Sequence, residues 1–184
     1  MSPLIEYLAG FVALAYFLMI SAATKQHFVS EKYPLGMYII SFLSLVGLFT
    51  FLLHAFLWDL NFSAAALALI FVAFALFIWA ARHSQKKNLS LAFDEETKIN
   101  EIIMSGPWKY VRHPFYASYV LFWTGCALGT THPTSVVVAV SLLFIYVYSA
   151  VREERALTES RYGDRYLEYR KNAGFFLPKL LLRN

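Results

Sequence analysis

The stretch that decides the fold is PFYASYVLFWTGCALGTTHPTSVVVAVSLLFIYVYSAV, residues 114–151, which contains no Lys, Arg, Asp or Glu. It divides at Thr131-His132 into two apolar segments, residues 114–130 and 133–151. Because so few residues join them, the segments predict two antiparallel helices in a short hairpin. A membrane-spanning helix needs about 20 apolar residues, so the first segment spans only with snorkelling neighbours or a locally thinner bilayer.

Three further apolar segments precede the hairpin, at residues 4–23, 35–58 and 62–81. Hydrophobic residues make up 59% of the chain, and the mean hydropathy is +0.52, which exceeds the usual composition of a soluble domain. We therefore expect an all-α polytopic membrane protein with about five transmembrane helices and a cytoplasmic C-terminal helix. The single cysteine, Cys126, excludes an intrachain disulfide and a multi-cysteine metal site.

The positive charges predict the orientation of this topology. All 16 Lys and Arg residues fall in three regions: residues 24–34, residues 82–113 and the tail from Arg152. With five helices these regions share one side, and the turns at residues 58–61 and 131–132 share the other side with the N-terminus. By the positive-inside rule the basic side is the cytoplasm and the N-terminus lies outside. Membrane topology thus explains the positions of the basic residues behind the net charge of +4. We therefore expect no nucleic-acid partner.

We expect one integral-membrane domain over residues 1–184. In this interpretation residues 1–81 supply three N-terminal transmembrane helices, and residues 82–184 supply a cofactor-binding loop, the hairpin and the tail. The outer side holds almost no protein mass, whereas the inner side holds a long connection and the tail. The functional site is therefore expected on the inner side.

Two motifs meet at the inner ends of the hairpin. The first is GPWKYVRHPFY, residues 106–116, in which Gly-Pro predicts a turn and Pro114 suits the first position of a helix. The second is Arg-Glu-Glu-Arg at residues 152–155, where the fifth helix leaves the membrane. Since the hairpin joins the two motifs, His113 and Glu154 are expected to be neighbours at the same depth.

The pattern Gly-Pro-Trp-x-Tyr-x-Arg-His-Pro-x-Tyr, followed by a hairpin, Glu-Glu and Tyr-x-x-Tyr, resembles the isoprenylcysteine carboxyl methyltransferase family and the related phospholipid methyltransferases. The resemblance covers roughly residues 93–178. It implies S-adenosylmethionine as the methyl donor. It also implies a set of cofactor-binding residues: Asn100, Ile102, Ile103, Trp108, His113, Pro114, Phe115, Tyr116 and Glu154. Among these, the stretch from Asn100 to Ile103 is implied to pack on the adenosine end.

The residue chemistry is compatible with methyl transfer by Arg112, His113 and Glu154. Glu154 can pair with the cofactor's ammonium or accept from its ribose, and Arg112 can meet its carboxylate. Methyl transfer requires alignment of donor and nucleophile, so no metal is needed, and no His, Asp and Glu set has metal-ligand spacing. If the nucleophile is an amine or a thiol, His113 is the candidate base.

Three positions depart from the family pattern. The family enzymes carry His where Asn100 stands and Gln where Phe93 stands, and Ala150 replaces an Arg that contacts substrate in the prenylcysteine enzymes. Prenylated cysteine, a phospholipid amine, a small thiol and an isoprenoid acid all stay open as acceptors. A hairpin site without an outer domain favours a lipophilic or lipidated substrate that arrives from the membrane lipids.

Two other classes of function stay open at this point. One is a membrane reductase of the sterol type that uses NADPH, although the chain shows no extra basic pocket for a 2′-phosphate. The other is a non-enzymatic membrane subunit or a transporter, although interrupted helices and midplane charges are almost absent. Arg112-His113 alone would also suit interfacial snorkelling and a helix cap.

Overall fold

The computed structural model describes residues 3–27, 35–84 and 102–179, with side chains in the first range up to residue 24. In these residues the chain is helical and forms no strand. The helices are α1 Pro3–His27, α2 Leu35–Phe56, α3 Ser63–Ser84, a short 3-10 helix Gly106–Lys109, α4 Pro114–Thr130, α5 Pro133–Glu159 and α6 Gly163–Asn172. The predicted all-α fold is confirmed.

Four of these helices are long and apolar enough to cross a membrane. The candidate spans are Pro3–Thr24, Leu35–Phe56, Ser63–Ser84 and Pro133–Glu159. The protein is therefore a polytopic, integral-membrane protein. Helix α4 has 17 residues, which is at the lower limit of the roughly 17–25 residues that span a bilayer, so the fifth span stays a prediction.

The predicted hairpin is present, because only Thr131 and His132 separate α4 from α5. Thr131 has a φ of 49°, a left-handed conformation that reverses the chain in one step. The Thr131 amide donates to the Ala127 carbonyl at 2.8 Å, and the His132 amide donates to the Thr130 hydroxyl at 3.2 Å. Pro133 then begins α5, as expected for a residue with a helical φ and no amide hydrogen.

Helix α5 continues beyond the apolar segment from which it was predicted. The segment ends at Val151, but the helix runs to Glu159 and therefore includes the Arg-Glu-Glu-Arg motif. The chain then turns at residues 160–162 and begins α6 at Gly163. A Cβ on Gly163 would lie 2.3 Å from the Thr158 carbonyl oxygen, so glycine is required at this turn.

The chain separates into two compact units. The first unit is Met1–Phe74 with Tyr119–Ile145, and the second unit is Ala75–Ser118 with Tyr146–Asn184. The boundaries fall within α3, α4 and α5. The division follows the contacts among residues. It does not test the single integral-membrane domain that the sequence predicts, which stays a prediction.

Aromatic rings and small residues pack the first unit. Tyr16 is fully buried, and its ring centroid lies 4.6 Å from that of Phe122. A Cβ on Gly47 would lie 2.8 Å from both Trp123 Cζ3 and Val138 Cγ1, so these side chains occupy the space that glycine leaves. Such close approach through small residues is how helices associate in lipid.

In the second unit, the Gly-Pro turn sets the position of the residues that follow it. Gly106 has a φ of +61°, and a Cβ there would lie 2.4 Å from the ring of His83. Pro107 is the second residue of the 3-10 helix, after which the chain reaches Pro114 and α4. Arg112 and His113 therefore lie immediately before the first residue of α4.

Candidate active site

The centre of the site is the carboxylate of Glu154 on α5, whose side chain is 8% exposed. Its Oε1 accepts a hydrogen bond from Arg112 Nε at 2.7 Å and another from His113 Nε2 at 3.0 Å. Its Oε2 lies 3.5 Å from Arg170 Nε, on α6. The structure thus brings together the three residues for which the sequence suggested catalytic roles, Arg112, His113 and Glu154.

The imidazole of His113 is enclosed by carboxylates and aromatic rings. Its side chain is 3% exposed, and its Nδ1 lies 3.7 Å from Glu153 Oε2. The ring centroids of Phe175 and Tyr116 lie 5.0 Å and 5.8 Å from its own. Because Nε2 donates to Glu154, Nδ1 is the nitrogen left to take a proton, and it faces Glu153.

A short tail segment, residues 173–176, closes one side of the site. Val111 and Gly174 form a parallel β-bridge, in which the Arg112 amide donates to the Gly174 carbonyl at 2.7 Å. The His113 amide donates to the Phe175 carbonyl at 3.3 Å. Arg112 Nη1 also donates to the Ala173 carbonyl at 2.6 Å. The guanidinium of Arg112 therefore ties the tail segment to Glu154.

Beside Glu154 is a cleft with a volume of about 440 Å³. Its polar lining combines both signs of charge, and its apolar lining comes from α5 and from the tail segment. The lining residues are Arg112, Val147, Val151, Glu154, Arg155, Thr158, Glu159, Arg170 and Phe175. The cleft thus joins a charged end, which can bind a zwitterion, to an apolar helix surface.

Of the described residues predicted to bind the cofactor, Glu154 lines this cleft, whereas His113 contacts Glu154 and the others lie elsewhere. Ile103, Trp108 and the partly buried Phe115 pack with Ala80 in one apolar cluster. Ile102 belongs to a second cluster, described below. Pro114 is fully buried at the start of α4, and the ring of Tyr116 stacks on that of Tyr146 with centroids 5.8 Å apart. Asn100 lies outside the described residues.

The second apolar cluster packs α6 against the connection that precedes α4. It consists of Ile102, Tyr166, Tyr169 and Ala173. The Tyr169 hydroxyl donates to the Trp108 carbonyl at 2.7 Å. The Tyr166 hydroxyl is buried and interacts with Glu154 and Arg112.

Several residues of the site were not identified from the sequence. Arg155, Arg170 and Phe175 reach the cleft, and Glu153 approaches His113. The pairing of the tail segment with Val111 is a contact between distant parts of the chain, and no local spacing signals it. Arg155 could have been found, because it belongs to the Arg-Glu-Glu-Arg motif at residues 152–155.

No group of three His, Cys, Asp or Glu side chains that could hold a metal ion occurs in residues 3–24, 35–84 and 102–179. No individual curated protein matches the sequence. The profile of the phospholipid methyltransferase family matches residues 61–165, which is more than half of the chain and includes both motifs of the site. The match ends before Tyr166 and the tail segment. With this match and a polytopic helical fold, the chain belongs to the phospholipid methyltransferase family of integral-membrane methyltransferases.

Proposed function

We propose that this membrane methyltransferase uses S-adenosylmethionine to methylate a lipophilic or membrane-associated acceptor. The observation that carries the proposal is the Glu154 carboxylate, which Arg112 and His113 orient at the wall of a cleft of about 440 Å³. Small-molecule sites usually measure about 300–1,000 Å³, so the cleft has a suitable size.

The charges of the cleft fit the polar groups of this cofactor. S-adenosylmethionine carries an ammonium, a carboxylate, a sulfonium and ribose hydroxyls. Glu154 and Glu159 offer acceptors for the ammonium or for the ribose. Three arginines, Arg112, Arg155 and Arg170, offer donors for the carboxylate. A zwitterion therefore meets both signs of charge in one cleft.

The two oxygens of Glu154 have different tasks in this proposal. Oε1 holds the carboxylate in place, because it accepts from both Arg112 and His113. Oε2 lies 3.5 Å from Nε of Arg170, whose side chain is 51% exposed. Arg170 can swing into solvent, so Oε2 is the oxygen that can turn to an ammonium or a ribose hydroxyl.

When bound, S-adenosylmethionine supplies an electrophilic methyl group on its sulfonium, and in-line transfer requires alignment of the acceptor with that group. Val147 and Val151 lie about two turns and one turn before Glu154 on α5, on its cleft-facing side. They give the cleft an apolar wall that suits a lipophilic acceptor. His113 orients Glu154, and its proposed second role as a base depends on Nδ1.

A titration with S-adenosylmethionine, with NADPH as the control ligand, tests the proposal on purified protein in detergent. The wild-type protein is expected to bind S-adenosylmethionine and not NADPH. Glu154→Ala should lose binding, and His113→Ala should weaken it because Glu154 loses a donor. Asp164→Ala is the control and should bind normally, because Asp164 is an exposed acid at the start of α6 that does not line the cleft. Normal binding by both Glu154→Ala and His113→Ala would contradict the site assignment.

The acceptor is identified by its product. The protein is incubated with methyl-labelled S-adenosylmethionine and a membrane lipid extract, and the labelled molecule is isolated. We expect label in the lipid-soluble fraction with the wild-type protein and none with Glu154→Ala. Label confined to water-soluble products would contradict a lipophilic acceptor.

The distribution of charge supports a cytoplasmic C-terminus, an N-terminus on the outside and entry of the cofactor from the cytosol. Impermeant maleimide labelling of intact cells tests this orientation in a Cys126→Ser background. Asp59→Cys should be labelled in intact cells, and Lys171→Cys only after permeabilisation. The reverse pattern would invert the orientation.

A further inference from the structure

Two histidine rings meet at one end of the first unit and have no part in the proposed function. His54 lies in the last turn of α2, and His132 lies in the connection between α4 and α5. Their ring centroids are 5.4 Å apart, and the ring planes are inclined by 55°. Segments that are distant in the sequence therefore place two imidazoles side by side, and imidazole is the commonest protein ligand of transition metals.

The packing of α2 against α5 accounts for this pairing. A Cβ on Gly47 of α2 would lie 2.8 Å from Val138 Cγ1 of α5, so the two helices are in close contact there. The contact between His54 and His132 lies towards the end of α2 and towards the start of α5. The two helices thus run antiparallel along one interface, and the histidine pair closes its end.

The imidazole of His54 has one nitrogen available for a metal ion. Its Nδ1 lies 2.9 Å from the Thr50 carbonyl, which can only accept, so Nδ1 carries the proton of the neutral ring. Its Nε2 therefore has a lone pair, and it makes no hydrogen bond within the described residues. Metal-ligating histidines usually donate their other N–H to a carbonyl or a carboxylate in this way.

His132 can supply the second ligand if it gives up one long contact. Its Nδ1 accepts from the Thr134 amide at 3.3 Å, so the neutral ring carries its proton on Nε2. Coordination through Nε2 requires this proton to move to Nδ1, which ends the contact with Thr134. That contact is longer than an ordinary N–H hydrogen bond. His132 is exposed, so a hydrated cation can reach it.

The separation of the two rings suits a tetrahedral ion. A Zn²⁺ ion lies about 2.0–2.1 Å from each imidazole nitrogen, which puts the centroids of two coordinating rings roughly 5 Å apart. The 5.4 Å between the centroids of His54 and His132 agrees with this separation.

The charge of the first unit also favours a cation. Residues 3–24, 35–74 and 119–145 include two acids, Glu6 and Asp59, and no Lys or Arg. Asp59 is exposed and lies just beyond the end of α2. A divalent cation that approaches this part of the chain therefore meets negative charge and no positive side chain.

We propose that His54 and His132 form a binding site for Zn²⁺, in which water completes the coordination. The ion ties the end of α2 to the connection between α4 and α5. This site has two protein ligands, so it differs from a three-ligand centre, which residues 3–24, 35–84 and 102–179 do not contain. It lies within the first unit, and it is independent of the proposed methyl transfer.

Isothermal titration with ZnCl2 tests the proposal on purified protein in detergent that carries no polyhistidine tag. The wild-type protein is expected to bind one Zn²⁺ ion that EDTA removes, whereas Mg²⁺, which prefers oxygen ligands, should not compete. His54→Gln and His132→Asn each remove one imidazole. Each should weaken binding more than about 10-fold, the smallest effect typical of outer-shell substitutions at metal sites. Asparagine at position 132 keeps a side-chain acceptor for the Thr134 amide.

His83→Gln is the matched control. His83 Nδ1 lies 3.0 Å from the carbonyl of Trp79, one turn earlier, as His54 Nδ1 does from that of Thr50, but no second imidazole contacts the ring of His83 within the described residues. This variant should bind Zn²⁺ with wild-type affinity. Because Zn²⁺ binds the folded chain, it should also raise the thermal midpoint of the wild-type protein and of the control, but not that of His54→Gln or His132→Asn.

Three results would overturn the proposal. The first is absence of Zn²⁺ binding by the wild-type protein. The second is wild-type affinity in either His54→Gln or His132→Asn. The third is an equal loss of affinity in His83→Gln, which would show that the ion binds elsewhere. Thermal unfolding in EDTA shows that each variant is folded before it is titrated.

Discussion

In the first unit helices meet through small residues and aromatic rings, whereas in the second unit they meet around charges. Gly47 allows Trp123 and Val138 to approach closely, and the ring of Tyr16 packs at a tilt against that of Phe122. In the second unit, by contrast, α5 is tied to the start of α4 through the Glu154 carboxylate and its donors.

Close packing and a buried ion pair contribute differently to stability. Lipid provides no hydrophobic drive for helix association, so the first unit depends on contact between closely fitting surfaces. A buried ion pair adds little net stability, because desolvation offsets much of the attraction. The second unit carries such a pair beside a cleft, which is consistent with a role in binding. The following substitutions separate the two arrangements, from the largest expected effect to the smallest.

Removal of the Glu154 carboxylate should have the largest effect. Glu154→Ala leaves Arg112 and His113 buried without their acceptor, and loss of one partner from a buried pair costs about 3–5 kcal/mol. The thermal midpoint of the purified protein in detergent measures this loss. Glu159→Ala, at an exposed acid of the same helix, should leave the midpoint nearly unchanged. Equal midpoints for the two variants would show that the charged network does not hold the second unit.

Replacement of Arg112 by lysine should have the next largest effect. Lysine keeps the charge but cannot reach both Glu154 and the Ala173 carbonyl, and a lost hydrogen bond to a charged group costs about 1.5–3 kcal/mol. Hydrogen exchange at residues 173–176 should become faster, because the tail segment loses a tie. Arg165→Lys, at an exposed arginine on α6, is the control. Unchanged hydrogen exchange in Arg112→Lys would show that backbone hydrogen bonds alone hold the tail segment.

A methyl group at Gly47 should affect the first unit. The added Cβ would meet Trp123 and Val138 at 2.8 Å, and such overpacking costs about 1–3 kcal/mol. Gly125→Ala should cost less, because its nearest contact is 3.1 Å. Thermal unfolding measures both variants, and titration with S-adenosylmethionine should give wild-type affinity. A Gly47→Ala protein that unfolds normally but binds weakly would contradict the separation of packing from binding.

The smallest expected effect concerns the turn before α3. Asn61 Nδ2 donates to the Thr130 carbonyl at 3.1 Å, while its backbone amide donates separately to the Gly129 carbonyl. Asn61→Ala removes only the side-chain bonds, so the cost should be about 0.5–1.5 kcal/mol. Thermal unfolding should show a small decrease, and Asn61→Asp, which keeps an acceptor but no donor, should behave similarly. A loss as large as that of Glu154→Ala would show that this turn is a main support of the first unit.

The local parts of the fold could be predicted from the sequence, but the contacts between distant parts could not. The two-residue connection at Thr131-His132 predicted a hairpin, and the hairpin predicted that His113 lies beside Glu154. The structure confirms this contact. The tail from Arg152 to Lys171 was predicted as a helix, but the apolar pattern, which ends at Val151, did not show that its first residues continue α5 to Glu159. Arg, Glu, Ala and Leu all have high helix propensity, so a helix can continue after its apolar pattern ends.

The site itself was predicted only in part for a related reason. Arg112 and Glu154 line the cleft, but Trp108 and Ile103 pack in an apolar cluster, because an aromatic motif residue suits a core as well as a ligand. The return of residues 173–176 to Val111 depends on backbone pairing, which places few demands on side-chain type. No feature of the sequence therefore indicated that Phe175 packs against His113.

The bridge between Val111 and Gly174 also sets an order of events during biosynthesis. The transmembrane helices leave the ribosome first, and residues 173–176 follow all of them. Until they emerge, Arg112 lacks its contact with Ala173, and His113 lacks the ring of Phe175. The cleft can therefore be completed only after residues 173–176 have been synthesised and have paired with Val111.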